Sequence, residues 1–124
     1  MVEHQLIEFN QLALARPSLR KHRDMYNRVM TRDNIALIAR LELVDVHSPN
    51  TPNAPNANKH PELIIGNVHI HWDPTFRDVK LVQAIMLAEE LEKVVARAPK
   101  AGLVLCGDFN SLPDSGVLQF LANG

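Results

Sequence analysis

Short apolar segments recur along the chain, two of them with the twofold alternation typical of β-strands and the last as a continuous apolar run. They predict four strands, at residues 5–9, 35–43, 63–71 and 103–106. In residues 35–43, one face is apolar throughout, whereas the second face begins with Ala36 and Ile38 and turns polar at Arg40. Asp33 and Asn34 supply a turn before this strand.

The strand predicted at residues 63–71 has two dissimilar faces. One face carries Ile65, Asn67, His69 and His71, and the other carries Ile64, Gly66, Val68 and Ile70. The segment Trp72-Asp73-Pro74 follows and ends the strand.

A longer repeat with helical spacing comes next. We expect Asp78 to cap a helix that extends to about residue 98, where Pro99 stops it. Glu89 and Lys93 are expected to form a favourable i,i+4 pair on its outer side. The predicted apolar stripe consists of Leu81, Val82, Ile85, Ala88, Leu91 and Val95. A last helix is predicted at residues 114–121, directly after Pro113.

Two polar stretches lack such periodicity. Residues 16–33 contain six Lys or Arg residues, and we interpret them as a solvated loop rather than a binding patch, because basic runs are usually just exposed. Residues 47–61 contain four prolines and four asparagines, which cannot sustain a helix or a sheet. They predict a surface insertion, with a role in recognition as the alternative.

The order strand, helix, strand over residues 63–106 predicts a crossover between two neighbouring strands, and hence an α/β fold. The ends of these strands would bring His69 towards Asp108. Ligand sites in α/β sheets favour that edge.

Length, composition and charge narrow the function classes. The 124 residues, 46% of them apolar, are enough for one domain or part of one. A formal charge of −1 gives no electrostatic footprint for broad nucleic-acid binding, so such a substrate would have to be held locally or through a metal. The single cysteine, Cys106, is predicted to lie in the core and fits a reducing compartment. No apolar stretch approaches transmembrane length, and residues 1–8 lack a signal-peptide pattern. We therefore expect a soluble intracellular protein that is not associated with a membrane.

The segment Gly107-Asp108-Phe109-Asn110-Ser111 carries the most specific chemistry. Asp108 can orient or deprotonate a water molecule, or hold a divalent metal. Asn110 can donate hydrogen bonds to a charged oxygen, and His69 can contact a phosphate. Together these groups favour metal-assisted cleavage of a phosphate ester.

Structural interpretations stand beside these roles. Asp and Asn two residues apart also favour a plain turn, and a lone histidine such as His69 is usually a hydrogen-bonded structural residue. Trp72 can stack on a base or simply pack, and Pro74 can serve only to end a strand.

Several motifs together resemble the endonuclease/exonuclease/phosphatase superfamily, and within it the catalytic poly(A) deadenylase subunits of the CCR–NOT complex. The matching pieces are Asn27-Arg28-Val29-Met30-Thr31-Arg32-Asp33-Asn34-Ile35, His69-Ile70-His71-Trp72-Asp73-Pro74, Asp78-Val79-Lys80-Leu81-Val82-Gln83 and Leu103-Val104-Leu105-Cys106-Gly107-Asp108-Phe109-Asn110-Ser111-Leu112-Pro113-Asp114-Ser115-Gly116-Val117. The Trp-Asp-Pro and Ser-Leu-Pro-Asp-Ser-Gly pieces are specific to the deadenylases.

The resemblance implies a four-layered α/β sandwich of two sheets flanked by helices, and Mg²⁺-dependent 3′→5′ removal of mRNA poly(A) tails with two ions in the complete domain. It implies that Asp108 is the catalytic aspartate and a metal ligand. It also implies that His69 and Asn110 are catalytic and contact the substrate, and that Pro74 lines the substrate pocket. Implied partners are poly(A) RNA and, through regions outside this chain, other CCR–NOT subunits, in the cytoplasm and also the nucleus.

The family's upstream metal-binding Glu and its downstream Ser-Asp-His segment have no counterpart here. We therefore expect residues 1–124 to be the central portion of one nuclease domain, incomplete at both ends and inactive by itself. Two alternatives remain open: a phosphodiesterase of the same superfamily acting on DNA or a phospholipid, and a non-catalytic interaction piece.

Overall fold

The computed structural model describes residues 1–43 and 61–123, which form one four-stranded sheet and five helices. The strands are β1 (Glu3–Glu8), β2 (Ile35–Glu42), β3 (Glu62–His69) and β4 (Gly102–Asp108). The helices are α1 (Phe9–Leu14), α2 (Pro17–Arg20), α3 (Arg23–Met30), α4 (Arg77–Arg97) and α5 (Gly116–Asn123). Apart from Pro61, the predicted insertion at residues 47–61 lies outside the described residues.

The sheet has the order β1-β2-β3-β4. β1 pairs antiparallel with β2, β2 pairs antiparallel with β3, and β3 pairs parallel with β4 through the crossover helix α4. The predicted α/β fold and its crossover are therefore confirmed. None of the described helices combines the length and apolar character that a membrane crossing needs.

One face of the sheet packs against the helices and the other is exposed. The buried side chains on the helical face are Ile7, Ala36, Ile38, Ile64 and Val68. On the opposite face, Leu6, Leu37 and Val104 are between 42% and 57% exposed. The face of β2 that turns polar is thus the buried one. Arg40 is accommodated on it because its charge is paired with Glu3 and Glu62. The described residues supply one sheet and the helices that cover one of its faces.

The prediction of a solvated loop at residues 16–33 is wrong. Most of this stretch forms α2 and α3, and Val29 of α3 is fully buried. Its basic side chains are used for structure, since Arg16 pairs with Glu89 and Arg28 pairs with Asp78, both on α4. The high content of basic residues suggested a loop, and the apolar face of these short helices is only a few residues wide, so it gave no clear helical pattern.

The start of α4 also differs from the prediction. The helix begins at Arg77 with Phe76 at the cap position, so Asp78 lies in the first turn. There its carboxylate accepts the Val79 amide at 2.9 Å and pairs with Arg28. A negative charge in the first turn also interacts favourably with the helix dipole.

The buried face of α4 is rotated relative to the predicted stripe. Of the predicted positions only Leu91 is buried, and the other five are half-buried. The fully covered residues are Val79, Lys80, Gln83, Ala84, Met86, Leu87, Glu90, Leu91 and Val94. The predicted pair of Glu89 with Lys93 does not form, because Glu89 binds Arg16 and Lys93 binds Glu90. The buried face of α4 includes three polar residues, Lys80, Gln83 and Glu90, so apolar periodicity alone assigns the wrong face.

The strand β4 is an edge strand, which explains a further error. Cys106, predicted to lie in the core, is exposed, as are Leu103 and Val104. Only Leu105 of this apolar run is partly buried, against the core. A continuous apolar run predicts burial on both faces, and the described residues cover one face only.

Candidate active site

The carboxyl ends of β3 and β4 bring two predicted site residues together. His69 and Asp108 are the last residues of their strands and are register partners in the parallel pair. Asn67 pairs with Cys106 in the same ladder. Because side chains alternate along strands, His69 and Asp108 project from the same exposed face of the sheet. The predicted approach of His69 to Asp108 is therefore confirmed.

Gly107 allows the two strands to pair this closely at their ends. Its φ is +128°, and a Cβ atom there would lie 2.0 Å from the carbonyl oxygen of Val68. No other residue type fits both the backbone angle and that distance. The glycine thus delivers Asp108 next to His69 without displacing β3.

A turn directly follows Asp108. The Asn110 amide donates a 2.9 Å hydrogen bond to Oδ1 of Asp108, and Asn110 adopts a left-handed φ of 46°. This arrangement is the turn that the sequence offered as the structural interpretation. It leaves Asp108 exposed, so the turn does not compete with a chemical role for that carboxylate.

The side chain of Asn110 connects the two strand ends. Its Nδ2 donates a 2.9 Å hydrogen bond to the carbonyl oxygen of Ile70, just beyond β3. The Ile70 amide in turn donates to the carbonyl oxygen of Asp108 at 2.9 Å. These two bonds fix Asn110 relative to both His69 and Asp108, while the second N–H and the oxygen of the amide have no hydrogen-bond partner among the described residues.

Two buried polar residues of α4 were not predicted as part of the site. Gln83 accepts the His71 amide at 2.9 Å and donates to Oδ1 of Asn34 at 3.3 Å. Lys80 donates to the carbonyl oxygens of Asn110 and Trp72. The signal for both was present, because they stand three positions apart in the matching Asp78–Gln83 motif, at a spacing that puts them on one helix face.

The loop between β3 and α4 is held by local contacts. Oδ1 of Asp73 accepts the Thr75 amide at 2.9 Å and the Thr75 hydroxyl at 2.7 Å. These hydrogen bonds lower the pKa of the Asp73 carboxyl below its ordinary value. Pro74 stands exposed at the centre of this turn, in the loop that follows His69.

An aromatic and cationic stack anchors the far end of the same loop. The guanidinium groups of Arg28 and Arg32 lie 4.8 and 4.5 Å from the centre of the Phe76 ring. Arg28 also forms a two-pronged ion pair with Asp78. The stack therefore joins α3 to the start of α4.

His71 belongs to this packing rather than to the exposed site. It is 4% exposed and meets the edge of Phe76 with ring centres 5.4 Å apart. Burial lowers the pKa of His71 below its ordinary value, and the nearby Arg32 and Lys80 charges act in the same direction. His71 is thus a packed ring of the core side of this loop rather than part of the exposed site.

A cleft of about 440 Å³ opens beside these loops, between the first turns of α4 and the segment that leads into α5. Pro74 and Asn110 both line it, together with Arg77, Asp78 and Ser111. His69 and Asp108 are not part of its wall. The four predicted site residues therefore form two adjoining pairs, one on the strand ends and one at the cleft.

Asp108 is the residue to be considered as a metal ligand. None of them forms a cluster of three or more His, Cys, Asp or Glu side chains suited to a metal. Asp108 is exposed and one of its oxygens is engaged by Asn110, which leaves the other available. Since Mg²⁺ is commonly bound by one or two carboxylates plus water, Asp108 fits as a single protein ligand.

Curated relatives resemble this chain over its whole length, although no family model matches it. The CCR4-Not complex 3′-5′-exoribonuclease subunit Ccr4 of Mycosarcoma maydis is 46% identical across 100% of the chain and 20% of its own length. The CCR4-NOT transcription complex subunit 6-like-B of Xenopus laevis is 38% identical across 100% of the chain and 24% of its own length. The chain thus spans about a fifth to a quarter of the relatives it matches.

Solved structures share the fold. The human Nocturnin catalytic domain superposes with a TM-score of 0.68 at 16% identity, covering 99% of this chain and 34% of that one. ANGEL2, a 2′,3′-cyclic phosphatase, superposes with a TM-score of 0.64 at 27% identity, covering 99% of this chain and 29% of that one. The resemblance drawn from the motifs is thereby confirmed: the chain is similar over its whole length to Ccr4-type subunits of the CCR4-Not complex, and it shares its fold with Nocturnin and ANGEL2.

Proposed function

We propose that this chain supplies part of the active site of a metal-dependent 3′→5′ exoribonuclease that shortens poly(A) tails. The observation that carries the proposal is the side-by-side arrangement of His69 and Asp108 at the ends of two parallel strands, with Asn110 hydrogen-bonded to Asp108 and to Ile70, the residue after His69. It is supported by relatives named as 3′-5′-exoribonuclease subunits of the CCR4-Not complex. Subunits of that complex are the proposed partners, and the cytoplasm and nucleus are the proposed locations.

Each residue has a proposed task. Asp108 would hold Mg²⁺ and orient the attacking water, since its carboxylate is exposed and fixed on one side only. Bound Mg²⁺ would supply charge neutralisation at the phosphate. Asn110 would donate from its remaining N–H to a phosphate oxygen, and its neutral amide keeps that ability at every pH near neutrality. His69 would contact the phosphate beside Asp108, and Pro74 would offer an apolar surface to the terminal base.

The test is shortening of a 5′-labelled RNA that ends in twenty adenosines, by the full-length protein with Mg²⁺. We expect a ladder of products shortened from the 3′ end, and none after chelation with EDTA. Asp108→Asn keeps the turn acceptor but loses the charge, so it should fold normally and lose turnover by orders of magnitude. Wild-type-like shortening by Asp108→Asn would overturn the role given to this carboxylate.

A second candidate is a phosphodiesterase with another substrate. This candidate is supported by the likeness to ANGEL2, which is a 2′,3′-cyclic phosphatase and is 27% identical to this chain. RNA ending in a 2′,3′-cyclic phosphate, single-stranded DNA and sphingomyelin are therefore assayed beside the adenosine tract. Release of phosphate groups or lipid headgroups at a higher kcat/KM than adenosine removal would replace the first proposal. Binding of CCR–NOT subunits without any cleavage would favour the non-catalytic alternative.

A further inference from the structure

Lys80 holds a buried cation in an unusual place. Its side chain leaves α4 near the amino end of the helix, and the residue is only 5% exposed. Lysine is rarely buried without a partner, because desolvation of the ammonium group is costly. The ion pairs of the described residues are made by other cations, so no carboxylate there compensates Lys80.

Two main-chain carbonyl groups compensate it instead. The Nζ atom donates to the carbonyl oxygen of Asn110 at 2.6 Å and to that of Trp72 at 3.3 Å. Trp72 lies in the loop after β3, and Asn110 lies in the loop after β4. One ammonium group, held on a rigid 21-residue helix, therefore connects the two loops that carry the proposed site residues.

The contact with Asn110 has a specific consequence. Asn110 has a φ of 46°, in the left-handed region that residues with a side chain adopt only uncommonly. Three hydrogen bonds hold it there: its amide to Asp108, its side chain to Ile70, and its carbonyl oxygen from Lys80. The first two come from the strand ends themselves. The third comes from α4, and it is charge-assisted and hence strong.

We infer that Lys80 is a positioning residue, which fixes Asn110 and, through the turn, Asp108 in the geometry the reaction needs. This inference rests on the proposed function, since it assigns the residue that orients the same site. Lys80 acts through the carbonyl groups of the two loops. Its loss should therefore lower kcat more than it raises KM.

The experiment compares variants of the full-length protein. Lys80→Met keeps the length of the side chain and removes the charge and the donors, whereas Lys80→Arg keeps both. Lys93→Met is the matched control, because Lys93 is on the same helix, exposed, and paired with Glu90 away from the site. We measure kcat and KM on the adenosine-tailed RNA, together with amide hydrogen exchange across residues 107–112 and across β2.

Lys80→Met should lower kcat about 10- to 100-fold with KM changed less than about threefold, as expected for misplaced reacting groups. Exchange at residues 107–112 should accelerate while β2 stays protected. Lys80→Arg should regain most of the turnover, and Lys93→Met should match the wild type. A Lys80→Met protein with wild-type kcat and wild-type exchange at residues 107–112 would overturn the inference.

A second variant covers the case in which Lys80→Met disturbs the whole fold, seen as faster exchange in β2. Lys80→Gln is then measured instead, and a folded Lys80→Gln protein with wild-type kcat and wild-type exchange overturns the inference. If the wild-type protein itself does not shorten the RNA, the proposed function fails. In that case hydrogen exchange at residues 107–112 still tests whether Lys80 anchors the loop.

Discussion

The Asn110 side chain and the Ile70 carbonyl group, 40 residues apart in the chain, share a hydrogen bond of 2.9 Å. This bond joins the segments that follow β3 and β4, just beyond the last backbone hydrogen bonds between the two strands. It uses one N–H of the Asn110 amide, and the other N–H has no hydrogen-bond partner among the described residues. The turn and the proposed catalytic role, which the sequence alone presents as alternatives, are therefore compatible at Asn110.

Replacing Asn110 should separate its two roles. Asn110→Gly keeps the positive φ at little cost, whereas Asn110→Ala loses the side chain and also strains the backbone. We expect both variants to lose about 10²–10³ in turnover of adenosine-tailed RNA if the amide stabilises charge on the phosphate. The Ala variant should be about 1 kcal/mol less stable than the Gly variant, as measured by urea unfolding. Equal turnover of wild type and Asn110→Gly would remove the catalytic role.

Gly107 should be intolerant of any side chain. In Gly107→Ala the new Cβ would sit 2.0 Å from the Val68 carbonyl oxygen, at a φ of +128°. We expect a loss of at least about 3 kcal/mol, measured by urea unfolding or by exchange of the β3 amides. Gly116→Ala is the control, because its Cβ would meet nothing within 4 Å at the start of α5. Wild-type stability of Gly107→Ala would show that β4 does not approach β3 as described.

The ion pair of Arg28 with Asp78 should be worth about 1 kcal/mol. Its side chains are 31% and 38% exposed, so solvent screens part of the attraction, but the paired geometry and the Phe76 ring add to it. A double-mutant cycle with Arg28→Met and Asp78→Asn measures the coupling by urea unfolding. Arg28→Lys should not restore it, since an ammonium group cannot bind both carboxylate oxygens in the plane. A coupling near zero would contradict this assignment.

Stability should fall on mild acidification because of His71. Burial and the Arg32 and Lys80 charges lower the pKa of His71 in the folded protein, so the unfolded chain binds a proton more readily. The stabilisation is complete above the unfolded pKa of about 6.5 and is lost as the pH falls from there towards the folded pKa. Urea midpoints measured from pH 8 to pH 5 should decline less in His71→Gln than in wild type.

The exposed His22 gives the matched control for this titration. His22→Gln is measured beside it, because this variant removes a histidine from the surface and leaves the packing around His71 in place. The lowered pKa values of Glu3 and Asp73 belong to carboxyl groups, whose contributions are lost at lower pH. An unchanged slope in His71→Gln would show that His71 is not the group responsible.

The crossover and the His69–Asp108 pair could be predicted because they follow from local alternation and from the rule that a helix links neighbouring parallel strands. The exposure of Cys106 could not, because a continuous apolar run looks the same in a central strand and in an edge strand. Neighbouring elements decide which of these it is, and they are distant in the sequence.

Lys80 and Gln83 illustrate a second limit. Apolar periodicity assigns polar residues to the outer face of a helix, yet both are buried beside the strand ends. Their partners, the carbonyl groups of Asn110 and Trp72 for Lys80 and the His71 amide for Gln83, are main-chain atoms with no sequence signature. The motif that contains them could be matched to the family from the sequence. Why it contains a lysine and a glutamine is explained only by their contacts in the structure.

Gly107 links the alignment of β3 and β4 to one backbone angle. Sliding β4 by one residue would turn His69 and Asp108 to opposite faces of the sheet. In the observed alignment Gly107 has a φ of +128° and meets the Val68 backbone at a distance that leaves no room for a Cβ atom. The alignment in which the histidine and the aspartate meet therefore includes one position that must lack a side chain.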